Sequence, residues 1–170
     1  MGQLQGKVAI ITGAGSGFGE GMAEAYVREG AKVIIADLNA EAGERVAAKL
    51  GANAKAVACD VANQESVVAM VKACVDTFGI PDIVINNAGT THKNQPMLNV
   101  DEKTFDRVFN VNVKSIYFMT HAIVPLMRQR GKGGVIINVG STAGIRPRPG
   151  LSWYNASKGA VNLLSRAMAV

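Results

Sequence analysis

Short runs of apolar residues alternate along the chain with longer segments whose apolar residues recur at a helical period. The runs are nearly continuous in Val, Ile and Ala, which is typical of strands buried on both faces of a parallel sheet. Strands are predicted at residues 7–12, 32–36, 55–59, 82–86 and 134–139. Helices are predicted at residues 17–29, 40–50, 63–78 (with Asn63 as its N-cap), 101–130 and 152–170. With right-handed crossovers, this alternation predicts an α/β fold with a doubly wound parallel sheet.

The chain of 170 residues has the length of one domain, and we expect residues 1–170 to belong to it. The last predicted helix stops without a glycine, a polar cap or a following strand. A helix that follows the fifth strand of a parallel sheet should lead into another strand. The sequence therefore predicts a domain that is incomplete at its C-terminus, truncated after the helix that carries Tyr154 and Lys158.

Composition and charge argue against several classes of function. The net charge of +5 comes from scattered basic residues, so we expect no nucleic-acid binding. No apolar run spans a bilayer and the first residues are polar, so we expect no membrane association and a cytoplasmic location. Cys59 and Cys74 lack metal-ligand spacing and are expected to be buried thiols. His92 is expected in a solvated loop and His121 on a helix surface, without a metal site at either.

A glycine-rich turn, residues 12–19, follows the first predicted strand and opens the next helix; we call it the glycine loop. It reads Thr12-Gly13-Ala14-Gly15-Ser16-Gly17-Phe18-Gly19. Between a strand and a helix, such a turn lets backbone N–H groups approach a pyrophosphate. A purely structural turn is the alternative. The spacing Gly-x-x-x-Gly-x-Gly after Thr12 resembles the short-chain dehydrogenase/reductase family, which implies a Rossmann-like dinucleotide-binding and catalytic domain.

Asp37 ends the second predicted strand. A carboxylate at this point accepts hydrogen bonds from ribose hydroxyls and repels a 2′-phosphate, although Asp37 also suits a turn. NADP-preferring members of the family usually carry a basic residue in the glycine loop or just after this strand, where the chain has Ser16 and Leu38. We therefore expect NAD(H) as the cofactor, with NADP(H) less favoured.

The resemblance implies further cofactor contacts. Asp60-Val61 resembles the adenine-contacting pair of the family, and Asn86-Asn87-Ala88-Gly89 resembles its NNAG motif. Without the family, the second segment indicates only a turn that ends a strand. The residues expected at the cofactor are Gly13, Ser16, Gly17, Phe18, Gly19, Asp37, Leu38, Asp60, Val61, Asn87, Ala88, Gly89, Tyr154 and Lys158.

Tyr154 and Lys158 lie one turn apart on the last predicted helix, so both project from one face. A nearby ammonium group favours the phenolate and tunes a tyrosine for proton exchange with a substrate hydroxyl or carbonyl. An ordinary surface contact is the alternative for this pair. Ser141, just past the fifth strand, has the spacing to Tyr154 that the family shares. It suits hydrogen bonding to the substrate oxygen, with Thr142 as the alternative donor.

Asn112 matches the fourth member of the catalytic set of the family, and Asn110 is the nearby alternative. The resemblance implies that Asn112 distorts its helix and supports proton relay towards Lys158. It implies an NAD(P)(H)-dependent oxidoreductase that interconverts a secondary alcohol and a ketone, with Tyr154 as the acid/base. A cofactor-binding but inactive fragment, or a nucleotide-sensing module, is the alternative function.

Few residues bear on the substrate. Arg146 and Arg148 lie near the expected mouth of the site. They suit an anionic or carrier-linked 3-oxoacyl group, and a sugar or simple secondary alcohol suits the site if they face solvent. The resemblance implies a homodimer or homotetramer for the intact protein.

Overall fold

The computed structural model describes residues 2–170 and contains a five-stranded sheet in the order β3-β2-β1-β4-β5. All four strand pairings are parallel. The strands are β1 (Val8–Thr12), β2 (Lys32–Asp37), β3 (Ala54–Ala58), β4 (Ile83–Asn86) and β5 (Val135–Asn138). The predicted doubly wound, Rossmann-like parallel sheet is therefore confirmed, with each strand boundary within one residue of its predicted place.

Six α-helices connect and cover the strands. They are α1 (Gly17–Arg28), α2 (Ala40–Leu50), α3 (Gln64–Phe78), α4 (Glu102–Phe109), α5 (Ser115–Arg130) and α6 (Ser152–Ala167). Short 3-10 turns cover Gly51–Asn53, Met97–Asn99 and Thr142–Gly144. Asn63 caps α3 as predicted, because its side chain accepts a hydrogen bond from Ser66 N. No helix within residues 2–170 is long and apolar enough to cross a membrane.

The long helical region predicted over residues 101–130 is present, with a distortion at Asn112 as the resemblance implies. Asp101 is the N-cap, and α4 and α5 are separated by a π-helical segment, Asn110–Lys114. Asn112 lies in this segment, is buried, and hydrogen-bonds to residues far away in the sequence. One widened turn directs its amide to those partners without ending the helix, which is a common use of π-helical turns.

The core lies in two layers, one on each face of the sheet. One layer packs α3 and α5 on the sheet, through residues such as Ile10, Met70 and Ile123. The other packs α1 and α2 on the opposite face, through residues such as Ile11 and Val46. Neighbouring residues of β1 thus enter opposite layers, which explains why its sequence is continuously apolar.

Both cysteines are buried, as predicted, and neither forms a disulfide. Burial raises the pKa of the Cys74 thiol to about 12, so this thiol is not a nucleophile at neutral pH. His121 is exposed on α5, as predicted. The prediction for His92 is wrong: the side chain is buried, with Nδ1 2.8 Å from Lys93 O and Nε2 without a partner within residues 2–170.

Candidate active site

A cleft of about 610 Å³ opens at the carboxyl ends of the strands, where ligands bind to doubly wound sheets. Nine of the residues predicted to contact a cofactor line it: Gly13, Ser16, Asp37, Leu38, Asp60, Val61, Asn87, Ala88 and Gly89. Arg107, Asn110 and Val111 also line it, although no motif in the sequence assigns them to a cofactor. Three elements far apart in the sequence, the glycine loop, the end of β2 and the end of β4, therefore share one wall.

The glycine loop depends on its glycines for two different physical reasons. Gly13 and Gly17 have φ angles of +63° and +56°, a region that other residues rarely adopt. Gly19 is instead needed for close packing, because a Cβ atom there would lie 2.1 Å from Gly13 O and 2.7 Å from Asn87 Nδ2. The Ser16 side chain does not cap α1, so the amides of the first helical turn remain available to an anionic group.

Hydrogen bonds fix the glycine loop to the segment after β4. Asn87 Nδ2 donates to Thr12 O at 2.8 Å and to Gly13 O at 3.1 Å. Thr12 Oγ1 accepts hydrogen bonds from Asn87 N at 3.1 Å and Ala88 N at 3.0 Å. Thr12 and Asn87 therefore hold the two halves of the cleft together. The only sequence signal for this role of Thr12 is its place in the motif.

Asp37 lies in the same wall, with both carboxylate oxygens engaged by backbone amides. Gly15 N donates to Oδ2 at 2.8 Å, and Asn39 N donates to Oδ1 at 2.9 Å. Arg45 of α2 donates to Gly15 O at 2.9 Å and pairs with Glu20 of α1 at 2.8 Å. The position of the glycine loop therefore depends on Arg45 as well as on Asp37, although no motif in the sequence indicates a role for Arg45.

A second cleft, of about 480 Å³, contains Ser141, Tyr154 and Lys158 together. It also borders Phe18, and it shares Asn87, Gly89 and Thr90 with the first cleft. Ser141 Oγ accepts a hydrogen bond from Ala143 N at 3.1 Å, as the N-cap of a 3-10 turn. Thr142, the alternative donor, is exposed and is not part of this lining.

Lys158 is buried, with 6% of its surface exposed, and its Nζ donates to Val139 O at 2.7 Å. Burial lowers the pKa of this ammonium group, because desolvation disfavours its charged form. Gly89 lies beside it: a Cβ atom on Gly89 would be 3.6 Å from Lys158 Nζ and 3.5 Å from Asn112 Oδ1. These distances are ordinary van der Waals contacts, so the NNAG segment lies directly against both Lys158 and Asn112.

Asn112 lies behind the second cleft and does not line it. Its Oδ1 accepts from Thr90 N at 2.8 Å, and its Nδ2 donates to Thr90 O at 2.9 Å and to Ser157 Oγ at 3.0 Å. Asn112 therefore joins the segment after Gly89 to α6. Asn110, the sequence alternative, lines the first cleft instead.

The chain matches the family model described as short chain dehydrogenase over residues 7–170. It belongs to the short-chain dehydrogenase family. It is 46% identical to 4-formylbenzenesulfonate dehydrogenase TsaC1/TsaC2 of Comamonas testosteroni over 98% of the chain and 67% of that protein. It is 42% identical to a sorbitol dehydrogenase of Cereibacter sphaeroides over 97% of the chain and 64% of that protein.

Comparison with a solved structure supports the same family through the similarity of the fold. The chain is similar to a 3-ketoacyl-(acyl-carrier-protein) reductase of Brucella melitensis complexed with NADH, with a TM-score of 0.96 and 48% identity over 98% of the chain and 70% of that structure. The chain spans about two thirds of the length of the curated short-chain dehydrogenases that it matches, 67% and 64% for the two named above. The family and the oxidoreductase class are thereby established, and the substrate is not.

Proposed function

We propose that the protein is an NAD(H)-dependent oxidoreductase that interconverts a secondary alcohol and a ketone. The observation that carries this proposal is the joining of two clefts. One is lined by the glycine loop and Asp37, the other contains Ser141, Tyr154 and Lys158, and they meet at the segment that follows β4. A dinucleotide in the first cleft and a small substrate in the second would therefore meet along one shared wall.

The residues present fit a nicotinamide dinucleotide. The uncapped first turn of α1 suits a pyrophosphate, and the small residues Gly13, Ala88 and Gly89 leave space along the cleft. The names of the similar structures include NADH and NAD, which supports the choice of cofactor class.

The charge of Asp37 in the wall of the first cleft favours NAD(H) over NADP(H). Asp37 places a carboxylate at the end of β2, where it would repel a 2′-phosphate. Leu38 is 75% exposed beside it and offers no positive charge. Arg45 is the cation that reaches the glycine loop, and Glu20 neutralises it.

Each catalytic side chain has a separate task in the proposed reaction. The bound nicotinamide supplies hydride chemistry. Tyr154 takes a proton from the substrate hydroxyl in oxidation and returns it in reduction, while Ser141 donates a hydrogen bond to the substrate oxygen. Lys158 lines the same cleft as Tyr154 and, in this proposal, assists its proton exchange. Asn112 acts through Thr90 and Ser157 and is a positioning residue.

The names of the relatives leave the substrate open, since they include an aromatic sulfonate, a polyol and a 3-oxoacyl group. We propose a homodimer or homotetramer, which the exposed Leu163 on α6 supports, and light scattering would measure it. The cytoplasmic location stays a prediction from the sequence, which cell fractionation would test.

The decisive experiment compares Tyr154→Phe with Tyr117→Phe, a matched control on the exposed face of α5. Against a panel of secondary alcohols and ketones, Tyr154→Phe is expected to lower kcat by about 100-fold or more. NADH affinity, from fluorescence titration, should fall much less than kcat for Tyr154→Phe and stay unchanged for Tyr117→Phe, because only one hydroxyl at the edge of the cofactor site is removed. If the wild type binds NADH but turns over no member of the panel, the proposed oxidoreductase function is refuted and a nucleotide-sensing module is favoured.

The cofactor preference is tested by titrating NADH and NADPH against the wild type and Asp37→Ala. We expect tighter binding of NADH to the wild type and a smaller difference for the variant, because the repelling carboxylate is removed. Glu41→Ala is the matched control, because it removes an exposed carboxylate from the first turn of α2 that does not line the cleft. Equal wild-type affinity for both cofactors would contradict the proposed preference.

A further inference from the structure

Arg148 lies in the wall of the second cleft, in the same lining as Tyr154. Two cations line this cleft, Arg148 and Lys158, and no carboxylate does. Lys158 is buried and donates to Val139 O. The guanidinium group of Arg148 makes no hydrogen bond or ion pair to any residue in the range 2–170. Arg148 is therefore the cation of the cleft that is free to bind a solute.

The backbone that carries Arg148 is fixed from two sides. The Asn155 side chain accepts from Arg148 N at 3.3 Å and donates to Arg148 O at 2.9 Å. Asn94 Nδ2 donates to Pro149 O at 2.7 Å, and Gln95 N donates to Gly150 O at 3.0 Å. A fixed backbone holds the base of the Arg148 side chain at the cleft, so that binding through the guanidinium group has to order the side chain but not the loop.

We infer that Arg148 binds a negatively charged group of the substrate, so that the substrate class is anionic alcohols and ketones that carry a carboxylate, sulfonate or phosphate. This inference rests on the proposed function, because it places the reacting oxygen at Tyr154 and Ser141. The planar guanidinium group binds such oxyanions through two parallel hydrogen bonds. The absence of a carboxylate from the lining means that no acidic side chain within residues 2–170 competes there with the substrate anion.

Arg146 provides a matched control within the same loop. It is exposed like Arg148 and lies two residues before it, but it does not line the second cleft. Loss of either arginine changes the net charge of the protein equally. An effect of general electrostatic attraction would therefore appear in both variants, and an effect of direct contact would appear only at Arg148.

The test uses two pairs of ketones of matched shape, 4-acetylbenzoate with 4-acetylbenzamide and 3-oxobutanoate with 3-oxobutanamide. Binding to the NAD⁺-saturated protein, which cannot reduce a ketone, is measured by calorimetry, and kcat/KM with NADH is measured in parallel. We expect at least one carboxylate to be preferred over its amide by about 10-fold, the effect of one charge-assisted contact. Arg148→Gln should remove that preference and leave the amide within about twofold, while Arg146→Gln should change neither.

The outcomes separate the inference from the proposed function. Turnover of the ketones without an Arg148-dependent preference for either carboxylate overturns the inference and leaves the proposed function standing. Arg148-dependent binding of a carboxylate without turnover supports the inference and counts against the proposed function. A fall in NADH affinity of Arg148→Gln that matches the fall for the carboxylate would assign Arg148 to the cofactor instead, which also overturns the inference.

Discussion

Replacement of Asn112 by alanine tests whether the π-helical segment exists to hold the segment after β4. Asn112 is 3% exposed and makes three side-chain hydrogen bonds, two to the backbone of Thr90 and one to Ser157. The variant removes all three and leaves the N–H and C=O groups of Thr90 without their partners. Thr90 lies in the lining of both clefts, so the change disturbs the wall that they share.

The expected loss of stability follows from these bonds. A hydrogen bond contributes about 1 kcal/mol net, and a buried group left unpaired costs about 1–3 kcal/mol. Thr90 is only half-buried, so water can reach part of its freed backbone. We therefore expect the free energy of unfolding to fall by about 2–4 kcal/mol, with kcat reduced more than NADH affinity because the disturbed wall adjoins Tyr154 and Lys158.

Urea unfolding followed by circular dichroism measures the loss of stability. An m-value equal to that of the wild type would indicate that the variant exposes the same surface on unfolding. Asn110→Ala is the control, because Asn110 occupies the same segment but forms no side-chain hydrogen bond within residues 2–170. Its effect should stay within about 0.5 kcal/mol. Equal losses for Asn110→Ala and Asn112→Ala would refute the argument that the Asn112 contacts hold this wall.

The expected outcomes for two glycine substitutions follow from packing, that for Arg45→Gln follows from a hydrogen bond, and that for Lys158→Met follows from a pKa. Gly19→Ala should destabilise the chain by about 1–3 kcal/mol or more, because the added Cβ meets backbone atoms. Gly21→Ala, exposed in the same helix with nothing within 4 Å, should stabilise it by about 0.5–1 kcal/mol in the same urea assay. Arg45→Gln should weaken NADH binding about two- to tenfold in a fluorescence titration, since it removes the contact to the glycine loop, whereas Lys49→Gln should leave binding unchanged. Burial lowers the pKa of Lys158 below its ordinary value of 10.5, so between the two values the unfolded chain holds more protons and stability rises with pH. Lys158→Met should lose that rise, measured as the difference between the two unfolding curves at alkaline pH.

The strands were predictable because burial on both faces leaves a direct trace in the sequence. Every residue of β1 is buried, and all of its positions are apolar apart from Thr12, whose hydroxyl accepts from two amides. The glycine loop was predictable for a similar reason, since positive φ angles at Gly13 and Gly17 exclude most other residues. In both cases one local constraint decides the residue type.

The π-helical segment could not be predicted from periodicity, because its cause is not local, and only the family resemblance implied a distortion at Asn112. The residues from 101 to 130 have the period of one continuous helix, and the partners of Asn112 lie in other elements. The burial of the His92 side chain could not be predicted either, because it depends on the fold of a loop and not on the hydrophobic pattern of the residues around it. Tertiary contacts override local propensity at such positions.

The residues of the candidate site also fall into two groups: those that the local sequence predicts, and those whose position depends on contacts between distant elements. Motif spacing predicted Ser141, Tyr154 and Lys158, and the structure brings all three into one cleft. What sets their separations is a group of side-chain bonds to distant backbone, such as Lys158 to Val139 O and Asn112 to Thr90. These bonds close loops between strand ends, so they form only when the sheet has assembled. Substitutions at the bonding residues should therefore reduce stability and turnover together, whereas Tyr154 and Arg148, which the fold does not need for such bonds, should affect only the chemistry and the choice of substrate.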